Sequence, residues 1–219
     1  MNRANDTVLE RQSGPIGRLR ISAPTVLASQ RFAGYLRAYR EEDPGVSMEI
    51  DLSDDWRDAI DDHYDLIVRI ADVDAAIKGA ELMFRTSGVI CAGASLRRRF
   101  STPEDLTDLC WNKTPTMGQD LSLTSIGTVE IVTLTPGDYM VVNSGQLVRE
   151  LVDESVGFAV FPDFAISSAL RNQKVSNVLP RWQAGERGFF AIHSARNAKL
   201  SIARSFVDGW KDYMKRTCG

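Results

Sequence analysis

No stretch of the 219-residue chain approaches the run of about 20 apolar residues that a bilayer crossing needs. The first 17 residues include Arg3, Asn5, Asp6, Glu10 and Arg11, too polar for the apolar segment of a secretory signal. A basic surplus is missing too: 26 Lys and Arg stand against 29 Asp and Glu, a net charge of -3. Phosphate neutralisation supplies much of a DNA-reading domain's affinity, so this balance argues against the chain gripping nucleic acid by itself. Cysteine is scarce. Cys91, Cys110 and Cys218 are odd in number and lack paired spacing, which suits a reducing cytosol better than a disulfide framework. Together these absences predict a cytoplasmic protein with no membrane attachment.

Enzyme signatures are missing as well. There is no Gly-x-Gly-x-x-Gly, no Walker loop, no Gly-x-Ser-x-Gly elbow and no His-Glu-x-x-His. His63 and His193 have no neighbour at metal-ligand spacing and read as surface or packing residues. Asp54, Asp55, Asp58, Asp61 and Asp62 could suggest a cation site, but no cation-binding loop pattern surrounds them; a helix start and a solvated face explain them better. Arg97-Arg98-Arg99 reads as a solvated basic turn rather than an anion grip. Cys91 lies in an apolar strand and reads as buried and inert rather than as a redox partner of Cys110. No catalytic residue, metal or cofactor is expected.

What is present is a strand–helix alternation. Leu19 to Ala23 alternates like a strand and Pro24 stops it; Phe32, Tyr35, Leu36 and Tyr39 recur at helical spacing until Asp43-Pro44-Gly45. Val46 to Ile50 is the next strand, Trp56 to His63 a short helix, and Leu66-Ile67-Val68 a strand buried on both faces. Such alternation predicts a mainly parallel sheet. Leu82-Met83-Phe84 and Val89 to Ala92 read as two strands around Ser87-Gly88. Thr102-Pro103-Glu104-Asp105 carries the cap, the proline and the acid of a helix start. Residues 111–138 are rich in Thr, Gly, Ser and Pro, with a strand expected over Thr128 to Leu134. A second βαβ-like unit follows: Met140 to Val142, a helix bearing Leu147, Val148, Leu151 and Val152, then Gly157 to Phe161 stopped by Pro162. Phe164 to Leu170 is a short helix, Phe189 to Ile192 a late strand, and Ala203, Phe206, Trp210 and Tyr213 mark a last helix. Two small sheets joined by crossing strands account for the doubled pattern.

Helix starts are the best candidate site. One is expected at Pro24-Thr25 and one at Asn143-Ser144, each directly after a strand. A helix N-terminus offers unpaired N–H groups and partial positive charge, and ligands of open α/β sheets lie beyond the carboxyl ends of strands. Two readings stand side by side: these residues only cap their helices, or they cap and also bind.

Five segments, in order, resemble the effector-binding domain of LysR-type transcriptional regulators. They are Gly17 to Pro24, Tyr64 to Ile70, Val89 to Ala92, Ser101 to Leu106 and Val156 to Pro162, and the likeness spans residues 17–216. The resemblance implies a periplasmic-binding-protein-like fold of two α/β lobes joined by two crossover strands, near Ser87–Gly93 and Gly188–His193. Lobe I would comprise 18–87 and 190–216, and lobe II 88–189. Residues 1–17 would be either the end of a linker helix or a disordered tail. The family's N-terminal winged helix-turn-helix is not seen in this sequence, so DNA contact would run through a missing domain, and the chain is expected to be a fragment. The resemblance further implies a small-molecule effector, with an anion as the expected class, and a homodimer or higher oligomer. The dimer would pack the helix of Arg31, Tyr35 and Tyr39 against the one holding Gln146 to Asp153.

In that frame Ala23, Pro24 and Thr25 line one wall of the cleft, Asn143 and Ser144 the other, and Cys91, Phe161 and Pro162 the floor. Arg69 is the candidate counter-charge, with an ion pair to Asp65 or a nearby acid as its competing role. A free-standing solute-binding protein of the same fold, and an enzyme on a two-lobed scaffold, are the alternatives.

Overall fold

A computed structural model describes residues 15–54, 64–96, 100–128, 130–194 and 197–217. The tail ahead of Pro15, the helix expected over Trp56–His63, four of the five clustered aspartates, Arg97–Arg99 and Cys218 lie outside the described residues.

Strand β1 (Gly17–Ala23) pairs in parallel with β2 (Val46–Leu52) and β3 (Leu66–Asp72), and helix α1 (Gln30–Glu42) connects the first two. Its apolar residues Phe32, Tyr35 and Tyr39 are three or four positions apart, so they share one face, and all are buried. That face meets Phe206 and Trp210 of the final helix, α4 (Asn197–Thr217); Phe32 and Trp210 have ring centroids 4.7 Å apart. Each such ring withdrawn from water contributes about 1.5–3 kcal/mol, so this aromatic seam is a main anchor of the first core.

Two long strands then run through both halves of the structure. β4 (Ala80–Gly93) and β11 (Trp182–His193) are antiparallel to each other, and β11 also pairs with β3. The segments Leu82–Phe84 and Val89–Ala92, expected as two strands, are one. Past Gly88, β4 leaves β11, and Gly88 to Ala92 pair with β9 (Phe158–Pro162). Gly88 sits at that changeover: a Cβ there would lie 2.7 Å from a Val160 methyl and 2.8 Å from the Ala184 Cβ, so only glycine fits.

Beyond the crossing lie β5 (Trp111–Lys113), β6 (Leu121–Ser125), β7 (Ile131–Leu134), β8 (Tyr139–Val141) and β10 (Val175–Asn177). Helices α2 (Gly145–Asp153) and α3 (Asp163–Arg171) flank β9. Because β4 and β11 belong to both halves, the ladder is one 11-stranded network rather than two sheets, and its pairing is mixed rather than mainly parallel. Burial, in contrast, is divided. One apolar cluster gathers β1, β3, α1 and α4; a second gathers around Trp111, Leu123 and Phe158; a third holds Cys91, Val148, Val152 and Ile166.

The helix start at Thr102 is real but short. Asp105 accepts the Thr102 N–H at 3.1 Å, and the turn Pro103–Leu106 is a single 3-10 stretch. Only Pro103 and Leu106 are buried there, too little apolar surface to support more turns.

Candidate functional site

The parallel register of β1 and β2 sets the first wall. Ala23 pairs with Leu52, and Ser53 N–H donates to the Ala23 carbonyl at 2.8 Å, which carries Asp54 alongside Thr25. Thr25 donates its N–H to Asp54 Oδ1 at 3.0 Å and its hydroxyl to Oδ2 at 2.6 Å. The expected α-helix start at Pro24-Thr25 is corrected here. Thr25–Leu27 is a 3-10 turn, and α1 begins at Gln30 because Ser29 wins as its cap, accepting the Phe32 N–H at 3.3 Å. A protein carboxylate therefore stands where an effector anion was expected.

On the opposing wall, Ser144 caps α2 by accepting the Leu147 N–H at 3.3 Å. The two walls come close at one point: a Cβ on Gly145 would lie 3.8 Å from Thr25 Oγ1 and from Val26 Cα. Between them lies a cavity of about 440 Å³. Pro24, Thr25, Arg69, Phe161 and Pro162 line it. Asn143 and Ser144 do not; α2 contributes Gly145, Gln146, Val148 and Arg149 instead. Ala23 and Cys91 are fully buried behind the lining, Ala23 in the first core and Cys91 in the third. Burial pushes the Cys91 thiol up to about 12, so it holds its proton.

Arg69 is buried at the cavity edge, where its guanidinium donates to Ser22 Oγ at 2.9 Å and the Val68 carbonyl at 2.7 Å. Asp65, its expected partner, accepts the Arg20 N–H at 2.9 Å. Arg149 pairs with Asp153 at 2.9 Å, and Arg187 with Asp72 at the same distance. Further lining comes from residues that sequence reasoning left as loop. Buried Asn112 donates to the carbonyls of Val156 and Phe158, fixing β5 against β9. Lys113 sits over the rings of Trp111 and Tyr139, at 4.6 and 4.5 Å, and donates to the Gly118 carbonyl at 2.7 Å. That contact ties down the segment Thr114–Gly118, which closes the cavity from the second half. A buried lysine amid uncharged residues at 112–116 was the one available signal. Asp54 was visible but was absorbed into a run of acids.

Among the described residues, no group of three His, Cys, Asp or Glu side chains could hold a metal ion, and no helix is long and apolar enough to cross a membrane. His193 lies outside the cavity and meets Glu81 at 3.1 Å.

Residues 12–215 match the family described as LysR substrate binding domain. The chain is 25% identical over 214 residues to the HTH-type transcriptional regulator PtxR of Pseudomonas aeruginosa, covering 95% of this chain and 68% of that one. It is 24% identical over 207 residues to the HTH-type transcriptional activator AaeR of Escherichia coli K12, covering 91% and 65%. It thus spans about two thirds of these relatives. The fold is that of the AmpR effector binding domain of Citrobacter freundii, with a TM-score of 0.74, 14% identity, and coverage of 91% of this chain and 99% of that one. The CrgA regulatory domain of Neisseria meningitidis superposes with a TM-score of 0.72 at 17% identity, covering 90% and 98%. The mixed α/β fold is therefore the periplasmic-binding-protein-like fold of these regulatory domains. The chain belongs to the LysR substrate-binding-domain family, the effector-binding domains of LysR-type transcriptional regulators, a family of regulators and not of enzymes.

Proposed function

We propose that the cavity between Thr25 and Gly145 is the effector site, and that a small molecule held there sets the relation between two lobes. One observation carries the reading: a cavity of about 440 Å³, in the size range of small-molecule sites, is lined from both sides of the crossing strands. Residues 18–87 and 190–216 form the first lobe and 88–189 the second, a division supported by the grouping of the buried residues. Pro24, Thr25, Arg69, Phe161 and Pro162 face the effector. Ala23 and Cys91 pack behind them and Ser144 caps α2, while Asn143 is exposed beside that cap. A ligand that touches both lobes favours the arrangement in which both contacts are made, and that preference is what a regulator transmits.

The protein works in the cytoplasm as a dimer, and DNA is read by a part of it outside these residues. The relatives' designation as HTH-type regulators and the net charge of -3 support that reading. The dimer contact is revised at the residue level. Tyr35 and Tyr39 are buried and Arg31 donates to Ser167, so the outward face of α1, with Arg37 and Arg40, meets half-exposed Leu147 of α2 in a second copy.

The test is thermal-shift fractionation of a cytoplasmic metabolite extract against the chain and against Ala165→Trp, which fills the cavity. Fractions that raise the melting midpoint of the chain but not of the variant contain the effector. Stabilising fractions that act equally on both would place the site elsewhere.

A further inference from the structure

We propose that the effector presents an ammonium or other hydrogen-bond-donating head to Asp54, and is therefore a cation or a neutral donor with an apolar body rather than a simple carboxylate. This rests on the cavity being the effector site. Asp54 is half-buried on the cavity wall, whereas the other acids that line it, Asp72, Asp120 and Glu186, are exposed. Asp72 and Glu186 are also neutralised, by Arg187 at 2.9 Å and Arg85 at 2.8 Å. Among the described residues no cation pairs with Asp54, and both its hydrogen bonds come from the neutral Thr25.

A carboxylate is an acceptor only, with about four lone-pair sites. Thr25 uses one on each oxygen, which fixes the group in place and leaves acceptor capacity on both. Withdrawing such a charge from water without a cationic partner costs free energy, and a donor head recovers it. An acceptor-only head would meet repulsion there, at the position where Thr25 would otherwise have offered it an N–H and a hydroxyl. Two of the cavity's cations are already charge-matched, Arg149 by Asp153 and Arg187 by Asp72, and Arg69 has its guanidinium turned onto Ser22 Oγ and the Val68 carbonyl. Away from Asp54 the walls mix hydroxyl and amide groups with the apolar side chains of Val26, Met117, Phe161 and Ile166, which accommodate a hydrocarbon or aromatic body.

Benzylamine, benzyl alcohol and benzoate share one ring and differ in the charge of the head. Titrating each into the 15N-labelled chain, and following the Trp111 indole N–H resonance (assigned by its loss in Trp111→Phe), reads occupancy of the cavity. The expected order of affinity is amine, then alcohol, then acid. Asp54→Asn, which keeps an oxygen for Thr25, weakens the amine by about tenfold or more, as expected for losing a charged hydrogen bond, and narrows its gap to benzoate. Benzoate binding as tightly as benzylamine, or an amine affinity unmoved by Asp54→Asn, overturns the head-group assignment and leaves the effector cavity standing. No movement of any cavity resonance with all three probes at millimolar concentration overturns both.

Discussion

Phe164 of α3 packs edge-on against Phe189 of β11, with ring centroids 5.3 Å apart and planes at 80°. Phe84 of β4 completes the group, stacked on Phe189 at 4.7 Å. Helix α3 follows a strand beyond the crossing, yet Phe164 is buried in the first core, while Ile166 and Ala169 of the same helix are buried in the third. Thr86 of β4 adds a hydroxyl bond to Asp163, the first residue of α3, at 2.8 Å. One short helix thus joins the two halves beside the cavity that Ala165 and Ile166 line.

Truncating that ring should be costly. Phe164→Ala is expected to lower stability by about 3–5 kcal/mol, the range for removing a buried aromatic ring from a packed core. Urea unfolding followed by circular dichroism measures it. A loss below about 1 kcal/mol would mean that the site collapses around the vacancy and that the ring is no anchor.

Gly157 and Gly79 make a matched pair. Both have positive φ, +65° and +73°, but a Cβ on Gly157 would lie 1.9 Å from the Cys110 carbonyl oxygen, whereas one on Gly79 would meet nothing within 4 Å. Gly79→Ala should cost about 1–2 kcal/mol from backbone conformation alone. Gly157→Ala should cost clearly more, because β5 and β9 must separate. Equal midpoints in parallel melts would contradict this.

Cys91 should be inert in the folded protein. Its thiol is fully buried and pushed up to about 12, so almost no thiolate exists at neutral pH. Alkylation by iodoacetamide, mapped by peptide mass spectrometry, should leave Cys91 unmodified until denaturant is added. Rapid native labelling would show that its strand opens locally.

Glu81 provides a pH signature. Burial opposes its ionisation, but hydrogen bonds from His193 and Lys211 outweigh that and hold its carboxyl below the usual glutamate value. A carboxyl depressed in the folded state stabilises fully above its unfolded value, and that contribution is lost as pH falls through the folded one. The stability gap between the chain and Glu81→Gln should therefore be widest near neutrality and shrink as pH drops through the ordinary carboxylate range. A gap that widens on acidification would contradict the assignment.

How far the sequence could be read depended on the range of the interactions. Helix α1 was legible because Phe32, Tyr35 and Tyr39 form a local stripe, and β3 because Leu66-Ile67-Val68 is an apolar run. The long strands β4 and β11 were seen only as fragments. Their middles, Arg85 to Gly88 and Gln183 to Gly188, are polar or glycine apart from Ala184, and they hold extended form through partners distant in the chain. The same limit applied to the cavity. Pro24 and Thr25 were marked by a strand end, but Asp54 reaches Thr25 only through the β1–β2 register, and Trp111 and Gln146 arrive from the other side of the crossing.

The central claim is that a small molecule occupies this cavity and touches both halves. Native mass spectrometry of the chain purified gently from cells, beside Ala165→Trp, tests it most directly. A stoichiometric small-molecule adduct on the chain that is absent from the variant is the predicted result; the same adduct on both, or none on either after incubation with a cytoplasmic extract, would contradict it.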